Sequence, residues 1–249
     1  MPCATCRSTS AKVRFSDVTL ADVERHDIRS GEILGVAGVE GNGQFEMCSA
    51  LLGREPSTGS VSIDGEDLSH ASVRERINAG IAYVPFDRQR EGLMLSTSLW
   101  ENNLLGQEEK YSKWGFIDVR AARKACREVI QRFGVLSPSE DVPAFALSGG
   151  NQQKLVVGRT MSMQPSVLLA AHPTRGIDVG AQAAVWEEIR SARDAGMAVL
   201  LVSADLEEIL GLADRVIVMF EGAVAAELLP RDATPELLGS YMTGAKVGA

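Results

Sequence analysis

A serine followed by two glycines stands in ALSGGNQQK, Ala146–Lys154. Where such a triplet opens a helix, it builds an anion site. Two bare glycine N–H groups, the Ser148 hydroxyl and the positive helix end converge on one point. Read alone, Ser-Gly-Gly is a common turn. Its setting gives it more weight. Upstream, at the end of an apolar run, lies a second glycine-rich turn, GVEGNGQF, Gly38–Phe45. Downstream come the apolar run Val167–Ala171, then HPTRGID, then a run ending in Ser203. His172 is a candidate general base, since an unperturbed imidazole titrates near 6.5. The plainer reading makes it a structural or inherited residue. His26 and His70 lie in polar surroundings and read as surface residues. Cys3 and Cys6 form a single CxxC, a poor zinc site without a second pair or histidines. A reduced N-terminal tail is the simpler reading, and no metal site is expected.

These residues need a frame. Five apolar runs supply it: Ile33–Ala37, Ile81–Val84, Val167–Ala171, Val199–Ser203 and Val216–Met219. Each is nearly continuous rather than alternating, which predicts strands covered on both faces. Helix-like segments follow at Gln44–Leu52, Ala181–Ala195 and Ala204–Leu212. That recurrence predicts a parallel α/β sheet. Ser60–Leu68, with its Asp64-Gly65 turn, predicts a small antiparallel edge. From about Leu95 to Gln164 no strand is evident. Asp118 is placed to cap a helix with Ala122, Cys126, Val129, Ile130 and Phe133 on one face, stopped by Gly134. A second helix is expected from about Asn151. The stretch reads as a helical subdomain inserted in the α/β core.

The chain has 249 residues, 45% hydrophobic and 23% charged, an ordinary globular composition. Its 25 basic and 33 acidic residues leave a net charge of −8. That argues against a nucleic-acid partner, whose phosphates need excess positive charge opposite them. No stretch approaches the length of a transmembrane helix, and the N-terminus lacks a signal-peptide core. A cytosolic protein is expected.

Taken together, GVEGNGQF, LSGGNQQK and PTRGIDVGA resemble the ATP-binding cassette family in the order and spacing of its motifs. The resemblance runs from about Val13 to Met242. With GEILGVAGVEGNGQ and DRQREGL included, it is nearest the second half of duplicated cassettes serving simple-sugar and nucleoside importers. It implies a P-loop NTPase (RecA-like) core at about 13–94 and 165–249. It also implies a helical subdomain at about 95–164 and leaves a tail at 1–12. Gly38, Glu40, Gly41, Asn42, Gly43, Gln44 and Phe45 take the place of the phosphate-binding loop. Leu147, Ser148, Gly149, Gly150, Asn151 and Gln152 take that of the signature motif, and Asp178 that of the D-loop aspartate. The implied ligands are ATP and magnesium. The implied partners are a second cassette and membrane permease subunits, which would place the chain on the inner face of the cell membrane.

The departures from the family pattern matter as much. The loop should read GxxxxGK followed by Ser or Thr. Here the lysine position holds Gln44 and the metal-binding hydroxyl position holds Phe45. The strand Val167–Ala171 should end in an aspartate and be followed by a glutamate; the chain has Ala171 and His172. Ala204 stands at the switch-histidine position and Phe86 at the expected Gln or Glu. A convincing adenine-stacking aromatic is also missing, because Phe15 is more simply a strand residue. One lost charge-assisted hydrogen bond is worth about 1.5–3 kcal/mol, so losing the lysine alone weakens triphosphate binding by roughly ten- to a hundredfold. The backbone cradle of Gly38–Gly43 survives, because its donors do not depend on side chains. Arg88 and Arg90 form a basic cluster, a solvated face unless the adjoining loop meets the permease as it does in the family. Trp100 is split between partner contact and core of the helical stretch.

In this family two cassettes pair head to tail, so each nucleotide lies between one phosphate loop and the partner's signature motif. The expectation is therefore a cassette with its own site eroded and its signature motif intact. ATP would bind weakly at its own site or be shared with the partner, with magnesium only at the partner's site. The alternative is a structural or regulatory pseudo-ATPase with no nucleotide role.

Overall fold

The computed structural model describes residues 12–16, 26–57 and 59–245. Cys3, Cys6 and the tail before Lys12 lie outside them, as does the side chain of His26. In chain order the elements are β1 (Lys12–Ser16), β2 (His26–Arg29), β3 (Ile33–Ala37), α1 (Gln44–Leu51), β4 (Ser60–Ile63), β5 (Glu66–Asp67), α2 (Val73–Asn78), β6 (Ile81–Val84), α3 (Leu99–Leu104), β7 (Ser112–Lys113) and β8 (Phe116–Ile117). There follow α4 (Val119–Arg132), α5 (Gly149–Ser162), β9 (Val167–Ala171), α6 (Val179–Asp194), β10 (Ala198–Ser203), α7 (Leu206–Leu212), β11 (Arg215–Phe220), β12 (Ala223–Leu228) and α8 (Pro235–Met242).

The five apolar runs are β3, β6, β9, β10 and β11. They stand in one six-stranded sheet of order β12-β11-β3-β10-β9-β6. β3 runs parallel to both β10 and β11. Every residue of β3, β9 and β10 is buried, which is why these strands read as continuous apolar runs. β12, which the sequence reading did not anticipate, pairs antiparallel with β11 across a register shift at Val218/Met219. It sits at the sheet edge and is mostly half-buried, so AVAAEL carries no clean hydrophobic period. The expected antiparallel edge exists and is larger than foreseen, a four-stranded sheet β2-β1-β4-β5. Its turn has both Asp64 (φ 52°) and Gly65 (φ 85°) in the left-handed region, as a tight hairpin turn requires. Phe15 falls in β1, in register with Val61 of β4.

The chain divides into two compact units. Among the described residues, one comprises 12–16, 26–57, 59–81, 166–169 and 190–245; the other comprises 82–165 and 170–189. In the first, buried Arg76 ties down the far end of α1. Its guanidinium donates to the carbonyls of Ala50 (2.6 Å), Leu51 (2.8 Å) and Ser69 (2.9 Å). The last carbonyls of a helix lack intrahelical donors, so this arginine takes over part of the capping.

In the second unit, α4 starts where expected. Asp118 accepts the Ala121 N–H (3.0 Å), and Ala122, Cys126 and Val129 are buried, with Ile130 and Phe133 half-buried. Burial pushes the Cys126 thiol up to about 12. Gly158 of α5 leaves no room for a side chain, since a Cβ there would lie 2.7 Å from Phe133 and Val129. Two expectations are corrected here. The stretch read as strandless holds the short β7–β8 hairpin, whose tip carries fully exposed Trp114 at φ 56°. And α5 begins at Gly149 rather than Asn151. Ser148 accepts the Asn151 N–H and caps the helix, which draws both glycines into its first turn.

Candidate functional site

The loop Gly38–Gly43 joins buried β3 to α1. Gly41 (φ 94°) and Gly43 (φ 99°) take conformations that a side chain would strain. Gly43 is the N-cap of α1 and offers no side-chain cap, which leaves the turn's donors to the backbone. Asn42 anchors the loop to the β11–β12 turn. Its side-chain oxygen accepts the Glu221 N–H (2.9 Å) and its carbonyl accepts the Gly222 N–H (3.2 Å). Glu40 is exposed. Gln44 is only 4% exposed, and its amide Nε2 donates to the Val39 carbonyl at 3.2 Å. The side chain thus lies across its own loop, so close to Gly38 that a Cβ there would collide with the amide. Phe45 is 47% exposed. In the same unit, exposed Ala204 follows Ser203, and Asp205 caps α7 through the Glu207 (2.9 Å) and Glu208 (3.4 Å) N–H groups.

Ala171 ends β9 fully buried. His172 turns into the left-handed region (φ 45°), and its ring meets Phe86 edge-on, with centroids 5.5 Å apart. Its carbonyl accepts the Gln153 side-chain amide (3.3 Å) and the Arg175 N–H (3.0 Å). His172 is therefore a buried, packed residue at a strained bend. Magnesium requires oxygen ligands. Neither the Phe45 nor the Ala171 side chain supplies one. The ion does not fit these positions.

The turn at α5 is built differently. Leu147 is buried, and exposed Ser148 receives the Asn151 backbone N–H (3.4 Å) and side-chain amide (2.9 Å). Asn151 in turn accepts the Leu136 N–H (2.8 Å). Gln152 is buried and donates to the carbonyls of Ala144 (3.1 Å) and Leu147 (3.3 Å). These bonds hold the turn from both sides and keep the Ser148–Gly150 backbone on the surface of a 14-residue helix. A Cβ on Gly150 would come 3.3 Å from the Gly176 carbonyl. That places the turn against Arg175–Asp178. Asp178 is exposed and accepts the Ala181 N–H (2.9 Å), and this bond holds its carboxyl below the usual carboxylate range.

The basic cluster splits. Arg90 is solvated, its side chain 88% exposed and 3.7 Å from Asp87. Arg88 turns inward to Gly149 and donates to the Arg175 carbonyl at 3.3 Å. Only a fold that brings residues 88, 149 and 176 together reveals this, and the residue spacing of FDRQREG gives no hint of it. Trp100 is half-buried and its backbone N–H donates to the Glu140 carbonyl (3.1 Å).

A glycine loop between a buried strand and a helix, with parallel strands β10 and β11 beside it, defines an ATP-binding cassette of the P-loop NTPase class. A solved dimeric ATP-binding cassette bound to ADP and phosphate has this fold. It matches with a TM-score of 0.72 at 22% identity over 89% of this chain and all of that one. The family model described as ABC transporter matches residues 22–175, and the chain belongs to that family. The guanosine import ATP-binding protein NupO of Bacillus subtilis is 42% identical over 220 residues, covering 87% of this chain and 43% of that protein. The ribose import ATP-binding protein RbsA 1 of Agrobacterium fabrum is 37% identical over 239 residues, 96% of this chain and 46% of that protein. The chain thus spans less than half the length of the curated relatives it matches. Among the described residues no helix is long and apolar enough to cross a membrane.

Proposed function

We propose that this chain is an asymmetric cassette of an importer for a simple sugar or nucleoside. It completes a partner's ATP site through its signature turn and does no hydrolysis at its own loop. It would pair with a competent cassette, bind permease subunits and so lie on the inner membrane surface. Relatives named for guanosine and ribose import support the substrate class. The observation that carries the reading is the contrast in side chains. Gln44 is spent on its own Val39 carbonyl, and Phe45 and Ala171 offer a metal nothing. Ser148, Gly149 and Gly150 are meanwhile capped, braced and presented at a helix N-terminus. Phosphoryl transfer depends on positioned donors and charge rather than covalent chemistry, so the turn has the parts that a neighbouring γ-phosphate needs.

The test is transport-coupled ATPase activity of the assembled complex with Ser148→Ala. Removing one transition-state donor typically lowers turnover ~10²–10³-fold, and that loss is expected here. Full activity would leave a structural pseudo-ATPase as the surviving reading.

A further inference from the structure

Arg88 occupies a seat that folding does not explain. Its guanidinium lies at the positive end of α5, where a cation works against the helix dipole. Among the described residues it makes a single 3.3 Å hydrogen bond, to the Arg175 carbonyl, and its buried Nε has no acceptor. A Cβ built on Gly149 would lie 2.5 Å from Nη2, and one on Gly176 would lie 3.6 Å from Nη1. The side chain therefore fills the space between two glycines from separate segments. The backbone around it is fixed: Asp87 accepts the N–H groups of Gln89 (2.9 Å) and Arg90 (3.2 Å), setting a single π-helical turn at Arg88–Gly92. From that turn Gln89 donates to Gln152 (3.1 Å), and Gly92 packs against Val156. The turn thus touches α5 along one side and reaches the Arg175–Gly176 bend through Arg88.

We propose that Arg88 is a positioning residue that sets the spacing between the signature turn and the D-loop. It holds Ser148–Gly150 and Asp178 as one surface. The inference rests on the partner-completing reading above, in which both segments meet the partner's nucleotide face. Loss of Arg88 would not unfold the unit, because a poorly bonded guanidinium at the wrong helix end contributes little to stability. It would instead loosen the link between the two segments, leaving the Gly150–Gly176 packing and the Gln153 bonds to the His172 and Pro173 carbonyls as the remaining contacts. Gly149→Ala should reproduce this loss, since its methyl pushes the mobile end of Arg88 out of its seat.

The experiment is hydrogen exchange of the full chain, read at Asn151 and Gln152 and at Arg175 and Ile177, with the thermal midpoint measured alongside. Arg88→Ala and Gly149→Ala should each raise exchange in both segments together, by about tenfold, at an unchanged midpoint. The double variant should be no worse than either single one, the non-additivity of groups acting through one contact. Arg88→Lys should rescue in part. A rise in only one segment, no rise, additive effects or a collapsed midpoint would overturn the proposal. In the assembled complex, Arg88→Ala should lower turnover about tenfold with KM for ATP unchanged, the mark of lost transition-state positioning. Unchanged turnover beside a crippled Ser148→Ala complex would also overturn it. If Ser148→Ala itself is fully active, the partner-completing reading falls, while the exchange data still decide whether Arg88 links the segments.

Discussion

Before α1 the helix cap is Gly43, and the nearest long polar side chain, Gln44, folds back onto the Val39 carbonyl. Before α5 the cap is Ser148, and the side chains of Asn151 and Gln152 brace the turn. Both are glycine turns at helix N-termini, where bare backbone N–H groups favour negative charge. The side chains separate them. Around α1 the Gln44 amide bonds its own loop; around α5 Asn151 and Gln152 tie the turn to Leu136, Ala144 and Leu147. The α1 turn takes its shape from Gly41, Gly43 and the Asn42 anchor, none of which carries a charged side chain. On the proposed reading, shape and chemistry are encoded in different residues.

The strongest challenge to this contrast is to damage the α5 turn. Gly150→Asp places a carboxylate where a phosphate would approach, and its Cβ lies 3.3 Å from the Gly176 carbonyl. In the assembled complex, turnover should fall by at least the ~10²–10³ that follows loss of a single donor, because like charge is added to the lost space. A folded, fully active Gly150→Asp complex would mean that this turn meets no nucleotide.

The next test refills the α1 turn. Gln44→Lys with Phe45→Thr restores a charge and a hydroxyl on an intact backbone. The double variant should bind ATP roughly ten- to a hundredfold more tightly than the native chain, the equivalent of one charge-assisted hydrogen bond. Titration calorimetry on the purified chain measures it. His172 is best left alone, because its φ of 45° and its carbonyl's bond to Gln153 make that bend part of the unit's packing. No gain in affinity in a folded double variant would show that the loop, and not only its side chains, has changed.

How far this contrast was legible in the sequence follows from where each signal resides. The strands of the large sheet were legible because burial on both faces leaves an uninterrupted apolar run, and Ala37 and Ala171 end such runs. β12 was not, because an edge strand with a half-buried face has no such run. α2 and α3 were overlooked although their capping boxes, Ser72 with Glu75 and Ser98 with Glu101, carry the S-x-x-E signature. The true start of α5 was displaced because Gly149 and Gly150 look like a turn until Ser148 is seen to cap them. Motif order marked the candidate site residues. It could not show that Gln44 points inward, nor that Arg88 leaves the solvated cluster, since both depend on contacts made only after folding.

The smallest expected effect is the most discriminating. Gln44→Ala removes the side-chain bond across the α1 turn, a neutral 3.2 Å contact to the Val39 carbonyl that the Asn42 N–H also reaches. A neutral hydrogen bond contributes about 0.5–1.5 kcal/mol to stability, so the purified chain should lose no more than that in urea unfolding. Turnover of the assembled complex should change less than about twofold, because a donor spent on its own loop is not one that stabilises a transition state. The two readouts must part company: a small stability loss with intact turnover is what a structural glutamine gives. A tenfold loss of turnover at equal stability would mean that Gln44 swings out to a bound phosphate when the complex closes. The α1 turn would then be a working site at rest, and the difference between the two turns would be one of state and not of role.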